Sequence, residues 1–539
     1  MVAQVLKYGP WLPDLAELAS GGAEFIRNVL PASNAYEPVR QLSARSAALD
    51  ARARGSVYVL DQTATVSGFA GDETKLYRSS GVTDVWTDVS KVGGYATGVE
   101  DWWFFTQHEL FVIATNYADA IQYWDLTTSS AFADLSADAP RAKYAATVKS
   151  FAMVGHTDDP TYAKQPYRIW WSAVGDPTNW PDPTSDAATT VLSDFRDLNA
   201  NHGHITGLVS SLNAADAAVF QQRGITRLIE SGDDLVFASD EVEGVRGTAA
   251  PRSICQYGGL VYYLGEDGFY MFNGAQSLPI GASKVDREFF SLLDEASLYR
   301  VVSGADPRRK RIHWAFPSTT ANAGQPDLMI VYNWETGDWT LSDGIEIQEF
   351  SRTLSPGWTL EDFDAVYASL EVIPGSLDDP AWRGGKTPQL EAWNTDNKLA
   401  VFGGDTLEAT LETEEAQLIP GQRSHIDTIT PLIDASDVNS YAKLRDRQAD
   451  VEAKTSEDAL DASGHSLIDR AARYARFGSR IPAGAEWTEA QGVSVRYEAG
   501  SHGNPAFEVA AAVSDDSLLL DDGALILTTE QGAELEFVP

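Results

Sequence analysis

Leu260-Val261-Tyr262-Tyr263-Leu264, Gly265-Glu266-Asp267-Gly268 and Phe269-Tyr270-Met271-Phe272-Asn273-Gly274 follow one another without a gap. Val, Tyr and Phe fit the pleated, half-buried surface of a strand. Gly-Glu-Asp-Gly and Asn-Gly supply the backbone freedom of tight turns. The stretch reads as two strands joined by a polar turn, the second ending in aromatics and a further turn.

The same pattern recurs. Aromatic strand ends stand at Leu76-Tyr77-Arg78-Ser79, Ile121-Gln122-Tyr123-Trp124-Asp125, Ile169-Trp170-Trp171-Ser172, Val219-Phe220-Gln221-Gln222 and Val331-Tyr332-Asn333-Trp334. A weaker copy is Leu390-Glu391-Ala392-Trp393-Asn394. With the copy at Phe269, the starts lie 45, 48, 50, 50, 62 and 59 residues apart. Further strand-like runs precede the copies, such as Trp102 to Thr106, Leu110 to Ala114, Arg311 to Phe316 and Leu328 to Val331. A period near fifty with about four strands per unit predicts a mainly β chain built as a β-propeller of six or seven blades. A large β-sandwich is the competing architecture, and the regular spacing favours the propeller. The longer spacings after Phe269 suggest an insertion or a divergent blade. Helical patterns are expected at Asp286 to Asp294 and Asp461 to Arg476.

The chain has 539 residues, enough for two or three domains. Its 78 acidic against 40 basic side chains give a formal charge of -38, which argues against reading nucleic acid with a basic face. The single cysteine, Cys255, permits no intrachain disulfide and reads as a buried structural thiol. Asp14, Glu17 and Glu24 make the first thirty residues unlike a signal peptide, and no apolar run is long enough to span a membrane. Fourteen of the 15 tryptophans fall before residue 401, and the charge is denser after it, which places a boundary near Gly403-Gly404.

Motifs for chemistry are weak. Gly384-Gly385-Lys386-Thr387 lacks the first glycine of a phosphate loop, since Pro380 occupies that place. His202 and His204, with Asp194 and Asp197 nearby, would share one face of a strand but lack a third ligand. His108-Glu109 lacks a second zinc histidine, and Asp515-Asp516 and Asp521-Asp522-Gly523 lack the spacing of a calcium loop. No Gly-x-Ser-x-Gly elbow is present. No catalytic, cofactor-binding or metal-ligating set is nominated. Two basic groups remain as candidate subunit or partner contacts. Arg308, Arg309, Lys310 and Arg311 form one cluster. Arg470, Arg473, Arg476 and Arg480 form the other, the last three spaced to share one helical face.

A series of short segments runs through the chain: Trp11-Leu12-Pro13-Asp14, Asn28-Val29-Leu30-Pro31, Tyr36-Glu37-Pro38, and Arg168-Ile169-Trp170-Trp171-Ser172 with Gly175-Asp176-Pro177 and Trp180. Others are Gly247-Thr248 with Ala250-Pro251, Glu266-Asp267-Gly268-Phe269-Tyr270, Ile280-Gly281, Val285-Asp286 and Val331 through Trp339. Arg473-Tyr474, Arg480-Ile481, Gly484-Ala485, Trp487 and Gly492-Val493 complete the series. Taken together, these segments resemble the tail nozzle (tail hub) proteins of short-tailed bacteriophages, while residues 501–539 match nothing. The resemblance implies an N-terminal arm over 1–45, a propeller over 46–402 and a β-rich contact domain over 403–539. It also implies a structural, non-enzymatic role: a homo-oligomer, usually a hexamer, below the portal and its head-to-tail adaptor. Such a ring carries fibres, spikes or a needle and conducts double-stranded DNA without sequence-specific binding. The expected location is the virion tail after assembly in the host cytoplasm, with no membrane insertion. A carboxylate-lined lumen would let DNA slide. Two alternatives are a glycan-binding propeller or glycosidase, marked by an exposed carboxylate pair with aromatics in a central pocket, and a monomeric peptide-binding scaffold.

Overall fold

The computed structural model describes all residues except Met1, 16–20, Glu24, 81–84, 233–235, 355–359, 361–363, 365–368, 374–387, Ser436 and 501–539. Glu17, the Gly384–Thr387 loop and the Asp515–Gly523 turns therefore lie outside the described residues.

Seven four-stranded antiparallel units follow one another around an axis. Their first strands are Ser56–Leu60, Phe104–His108, Arg141–Val148, Ile205–Ser210, Cys255–Tyr257, Val302–Asp306 and Glu349–Leu354, which we number blades 1 to 7. These strands pack side by side in order, with Gln256 of blade 5 donating to the Ser210 carbonyl of blade 4, and the seventh packs back on the first. The fold is thus a closed seven-bladed β-propeller. Each interface carries a ring pair. Phe69 meets Trp124 at 5.5 Å, Phe104 meets Tyr144 at 4.8 Å and Trp171 meets Phe237 at 5.3 Å. Phe220 meets Tyr263 at 5.2 Å, Phe269 meets Trp314 at 4.7 Å and His313 meets Phe350 at 6.1 Å. Trp86 and Trp393 close the circle at 5.3 Å. One four-stranded sheet has two faces to bury, and neighbouring blades provide the cover.

The repeat was legible, with its phase shifted twice. Five copies fall on third strands, but Val219 and Leu390 lie in second strands, Ala217–Gln221 and Pro388–Trp393. The longer spacing after Phe269 comes from a helix, Asp286–Leu292, and a 3-10 segment, Glu295–Arg300, inserted before blade 6.

Blade 7 takes its outermost strand from the other end of the chain. Arg40–Ala48 pairs antiparallel with Lys398–Thr406. The N-terminal segment is therefore no free arm. Val2–Lys7 pairs with Ala490–Ala499, and the hairpin Val29–Ala32 with Ala35–Pro38 joins the same sheet at Tyr36 and Ala490. The expected boundary at residues 402 and 403 falls inside Lys398–Thr406.

Beyond the propeller, two sheets pack face to face as a sandwich. One contains Ser424–Ile433 between Ala490–Ala499 and Ser466–Ala472. The other grows directly out of blade 6: Trp339–Asp343, Ile26–Arg27, Ala409–Glu412, Tyr474–Ile481 and Asn439–Arg445 are successive neighbours in one ten-stranded sheet. A single apolar core runs from Phe269, Trp314 and Trp339 through Leu411 and Phe477 to Ile426 and Val493. The helix expected at Asp461 to Arg476 is absent. Its residues form Ser466–Ala472 and part of Tyr474–Ile481, because Arg476 and its neighbours pair between two other strands. Among the described residues no helix is long and apolar enough to cross a membrane.

Replacing fully buried Trp393 by Ala opens the seam between blades 7 and 1. The expected loss is about 3–5 kcal/mol, read as a lower denaturation midpoint in urea.

Candidate functional site

The propeller axis is filled. Trp102, which precedes the first strand of blade 2, meets the guanidinium groups of both Arg52 at 5.3 Å and Arg252 at 5.1 Å. Its indole N–H donates to the Tyr299 carbonyl at 3.2 Å. Arg252 also pairs with Glu349 of blade 7, faces Phe104 of blade 2 at 5.4 Å, and its carbonyl accepts from Ser303 of blade 6 at 2.8 Å. Side chains from opposite sides of the ring meet here, so the plug spans the axis. Cations over an indole face are attracted by its quadrupole, and burial pushes both guanidinium groups down to about 10. Glu349, at 1% exposure, is closed off. Among the described residues the axis thus offers no exposed carboxylate pair of the kind a glycosidase needs. A shallower cavity of about 670 Å³ lies off the axis, lined by Glu100, Asp101, Lys143, His156 and His204. There Lys143 engages Asp101 at 2.7 Å, and burial lowers the His156 imidazole to about 4.

Most of the segments singled out in the sequence meet at the propeller–sandwich seam. Asp14 caps the helix at Asp286–Leu292 from outside, accepting from Arg287 N–H at 2.8 Å and Glu288 N–H at 2.9 Å. The helix has no side-chain cap of its own. Asn28, held at φ 59°, donates to Asp343 at 2.8 Å and to the Glu408 carbonyl at 2.9 Å. The Pro31 carbonyl accepts from Arg311 at 2.8 Å and Asn333 at 3.2 Å. Trp339 donates to the Ile280 carbonyl at 3.2 Å and packs on Phe269 at 5.0 Å. Asp286 accepts from Phe269 N–H at 3.1 Å, and a Cβ on either Gly268 or Gly281 would run into its carboxylate. Burial, with Asp14 and Asp267 nearby, pushes that carboxyl up to about 6. The Gly175-Asp176-Pro177 segment instead folds locally on blade 3, where the Pro177 carbonyl accepts from the Trp180 indole at 2.7 Å.

Arg308, Arg309 and Lys310 form the turn between the first two strands of blade 6, capped by Asp306, which accepts from Arg308 N–H at 3.0 Å. Lys310 pairs with Glu335. Arg311 is buried, and its Nη2 donates to Glu37 at 2.9 Å while Arg309 approaches the same carboxylate at 3.8 Å. The turn rims a cavity of about 530 Å³ between blades 6 and 7, the N-terminal hairpin and Trp487. Arg40, which also lines it, pairs with Glu486 at 2.9 Å. Sequence reasoning found the four basic residues but missed their partners on the cavity, His313 and Trp487.

The second basic group does not form a face. Arg476 is buried against Glu412 at 3.5 Å and Glu452 at 3.7 Å, so it is spent inside the sandwich. Arg480 pairs with Glu457 at 2.7 Å, whereas Arg470 and Arg473 are exposed. Arg476 and Arg480, four apart in Tyr474–Ile481, keep one side of that strand, whereas Arg470 belongs to Ser466–Ala472 and Arg473 to the link between the two. Cys255 is buried, and burial pushes its thiol up to about 12. His202 ends a 3-10 turn, not a strand, and pairs with Glu241 at 2.8 Å. No cluster of metal-ligating residues occurs among the described residues.

No protein-family model and no curated protein matches the chain. Among solved structures, BamB from Moraxella catarrhalis is similar with 9% identity and a TM-score of 0.34, over 74% of this chain and 97% of its own. The computationally designed Ika8 protein has 9% identity and a TM-score of 0.33, over 73% of this chain and 99% of its own. YCF48 bound to D1 peptide has 8% identity and a TM-score of 0.34, over 59% and 87%. Likenesses of this size carry no argument, and the propeller assignment rests on the sheet order itself.

Two substitutions check this geometry. Trp102→Ala removes the plug and is expected to cost about 3–5 kcal/mol in urea unfolding. Asp286→Asn keeps the acceptor for Phe269 N–H and removes a charge. A carboxyl raised by folding binds its proton more tightly in the folded state, so stability falls as pH rises from about 4 to about 6. The variant should match the parent below that window and melt at higher temperature above it, as scanning calorimetry at pH 3.5 and pH 7.5 would read.

Proposed function

We propose that this chain is a structural subunit of a short-tailed phage tail nozzle. In this reading about six copies form a ring below the portal and adaptor, extend the DNA channel, help retain packaged DNA and carry fibres, spikes or a needle. The observation that carries the reading is the seam. Segments that resemble the family in sequence, separated by up to several hundred residues, meet where the sandwich is welded to blade 6. A welded two-domain body is suited to a load-bearing ring, since its parts cannot swing on a linker. In this reading any DNA channel runs between subunits, which is compatible with the filled propeller axis. The net charge of -38 suits a wall that repels phosphate. Among the described residues the plug fills the axis where a propeller glycosidase would hold its central pocket.

Electron microscopy of the purified chain, alone and mixed with virion tail complexes, tests the proposal. A ring of about six copies around an open channel, or added density at the distal end of the tail, is the expected result. A monomer that also fails to join tails would overturn it. A ring with a basic or neutral lumen would refute the sliding mechanism alone.

A further inference from the structure

The cavity beside Arg308–Arg311 concentrates polar groups that the chain does not satisfy. Among the described residues, Nη1 of Arg311, both ring nitrogens of His313 and the indole N–H of Trp487 are buried without a hydrogen-bond partner. All three residues line this one cavity. Arg311 and Trp487 are 1% and 2% exposed, so these are built positions rather than loose surface side chains. Buried donors left unpaired are rare in native proteins and cost free energy, and they mark places where water or a ligand completes the structure. The lining carries four arginines, Arg40, Arg308, Arg309 and Arg311, against the two carboxylates Glu37 and Asp306. Asp306 is engaged by its own turn, and the Arg308 side chain has no partner among the described residues. Met329, Leu390 and Phe402 form an apolar wall next to this rim.

We propose that this cavity is a receptor for an acidic peptide segment, a carboxylate flanked by apolar side chains, presented by a partner protein. The guanidinium groups take the carboxylate in charge-assisted hydrogen bonds. The apolar wall takes the neighbouring side chain, and His313 and Trp487 donate to the peptide's carbonyls. A free phosphate would use the rim and leave the wall unfilled. A nucleic acid strand would meet the repulsion of the surrounding acidic surface. The inference does not depend on the ring, because a monomeric subunit would bind the segment equally well.

Isothermal titration of the full chain at low salt tests it, with acetyl-Phe-Glu-Leu amide as probe. The controls are the Gln analogue, 3-phenylpropionate and inorganic phosphate. Binding of the Glu peptide is expected, at least tenfold weaker for the Gln analogue and at least tenfold weaker in the double variant Arg308→Glu, Arg309→Glu. Both positions are exposed turn residues, and an unchanged thermal midpoint would show that the variant folds. Equal binding of Glu and Gln peptides, or an unaffected double variant, would overturn the proposal. So would phenylpropionate or phosphate binding as tightly as the peptide, which would make this a small-anion site. Absence of binding at millimolar peptide would leave the orphaned donors to water and would also overturn it.

Discussion

Unpaired strand edges are the constraint on which this architecture depends. A sheet edge exposes a row of N–H and C=O groups that must be paired, covered or bent away. Here two edges are closed by nearby pieces of the N-terminal segment. Arg40–Ala48 completes blade 7, so the propeller is fastened by pairing between residues 350 or more positions apart. Ile26–Arg27, only two residues long, lies between Trp339–Asp343 and Ala409–Glu412 and turns blade 6 into a sheet shared with the sandwich. The two halves therefore share a sheet and a core. Closing such long loops is entropically slow, so the chain is expected to fold late and as one unit.

The charge distribution follows from the same economy. Many acidic residues hold turns between strands. Asp61 accepts from Thr65 and Thr63 N–H at 2.7 and 2.8 Å, and Asp125 accepts from the Thr127 hydroxyl at 2.6 Å and its N–H at 2.8 Å. Those hydrogen bonds hold both carboxyls below their usual range, so they remain charged at neutral pH. Many basic residues are drawn inward, as at Arg168 with Asp197, Arg445 with Glu415 and Arg476 with Glu412. What is left outside is a strongly negative surface. Against that background the arginine-rimmed cavity beside blade 6 is a local inversion of sign.

Strand content, the fifty-residue rhythm and the aromatic packing between blades were legible because they repeat, and each copy is local. The helix at Asp286 was legible because its apolar spacing is met on the spot by Phe289. The segment from Asp461 to Arg476 misled because its spacing suits a helix while its neighbours in space are strands. Arg476 pairs with Glu412, which nothing within its own stretch of sequence can signal. The four basic residues at 308–311 were visible as a run, but their division was not. Arg311 is buried by Pro31 and Glu37, whereas Arg308 is exposed at the rim.

By itself the sequence determined that the chain is mainly β, periodic, acidic and without an intrachain disulfide, since those properties live in composition and in spacing along the chain. Only the tertiary structure decided that seven blades close, that the axis is plugged by Arg52, Trp102 and Arg252, and that the N-terminal segment is part of both domains. The physical reason is that a strand's partner, unlike a helix's, can lie anywhere in the chain. Edges are satisfied by whichever segment reaches them.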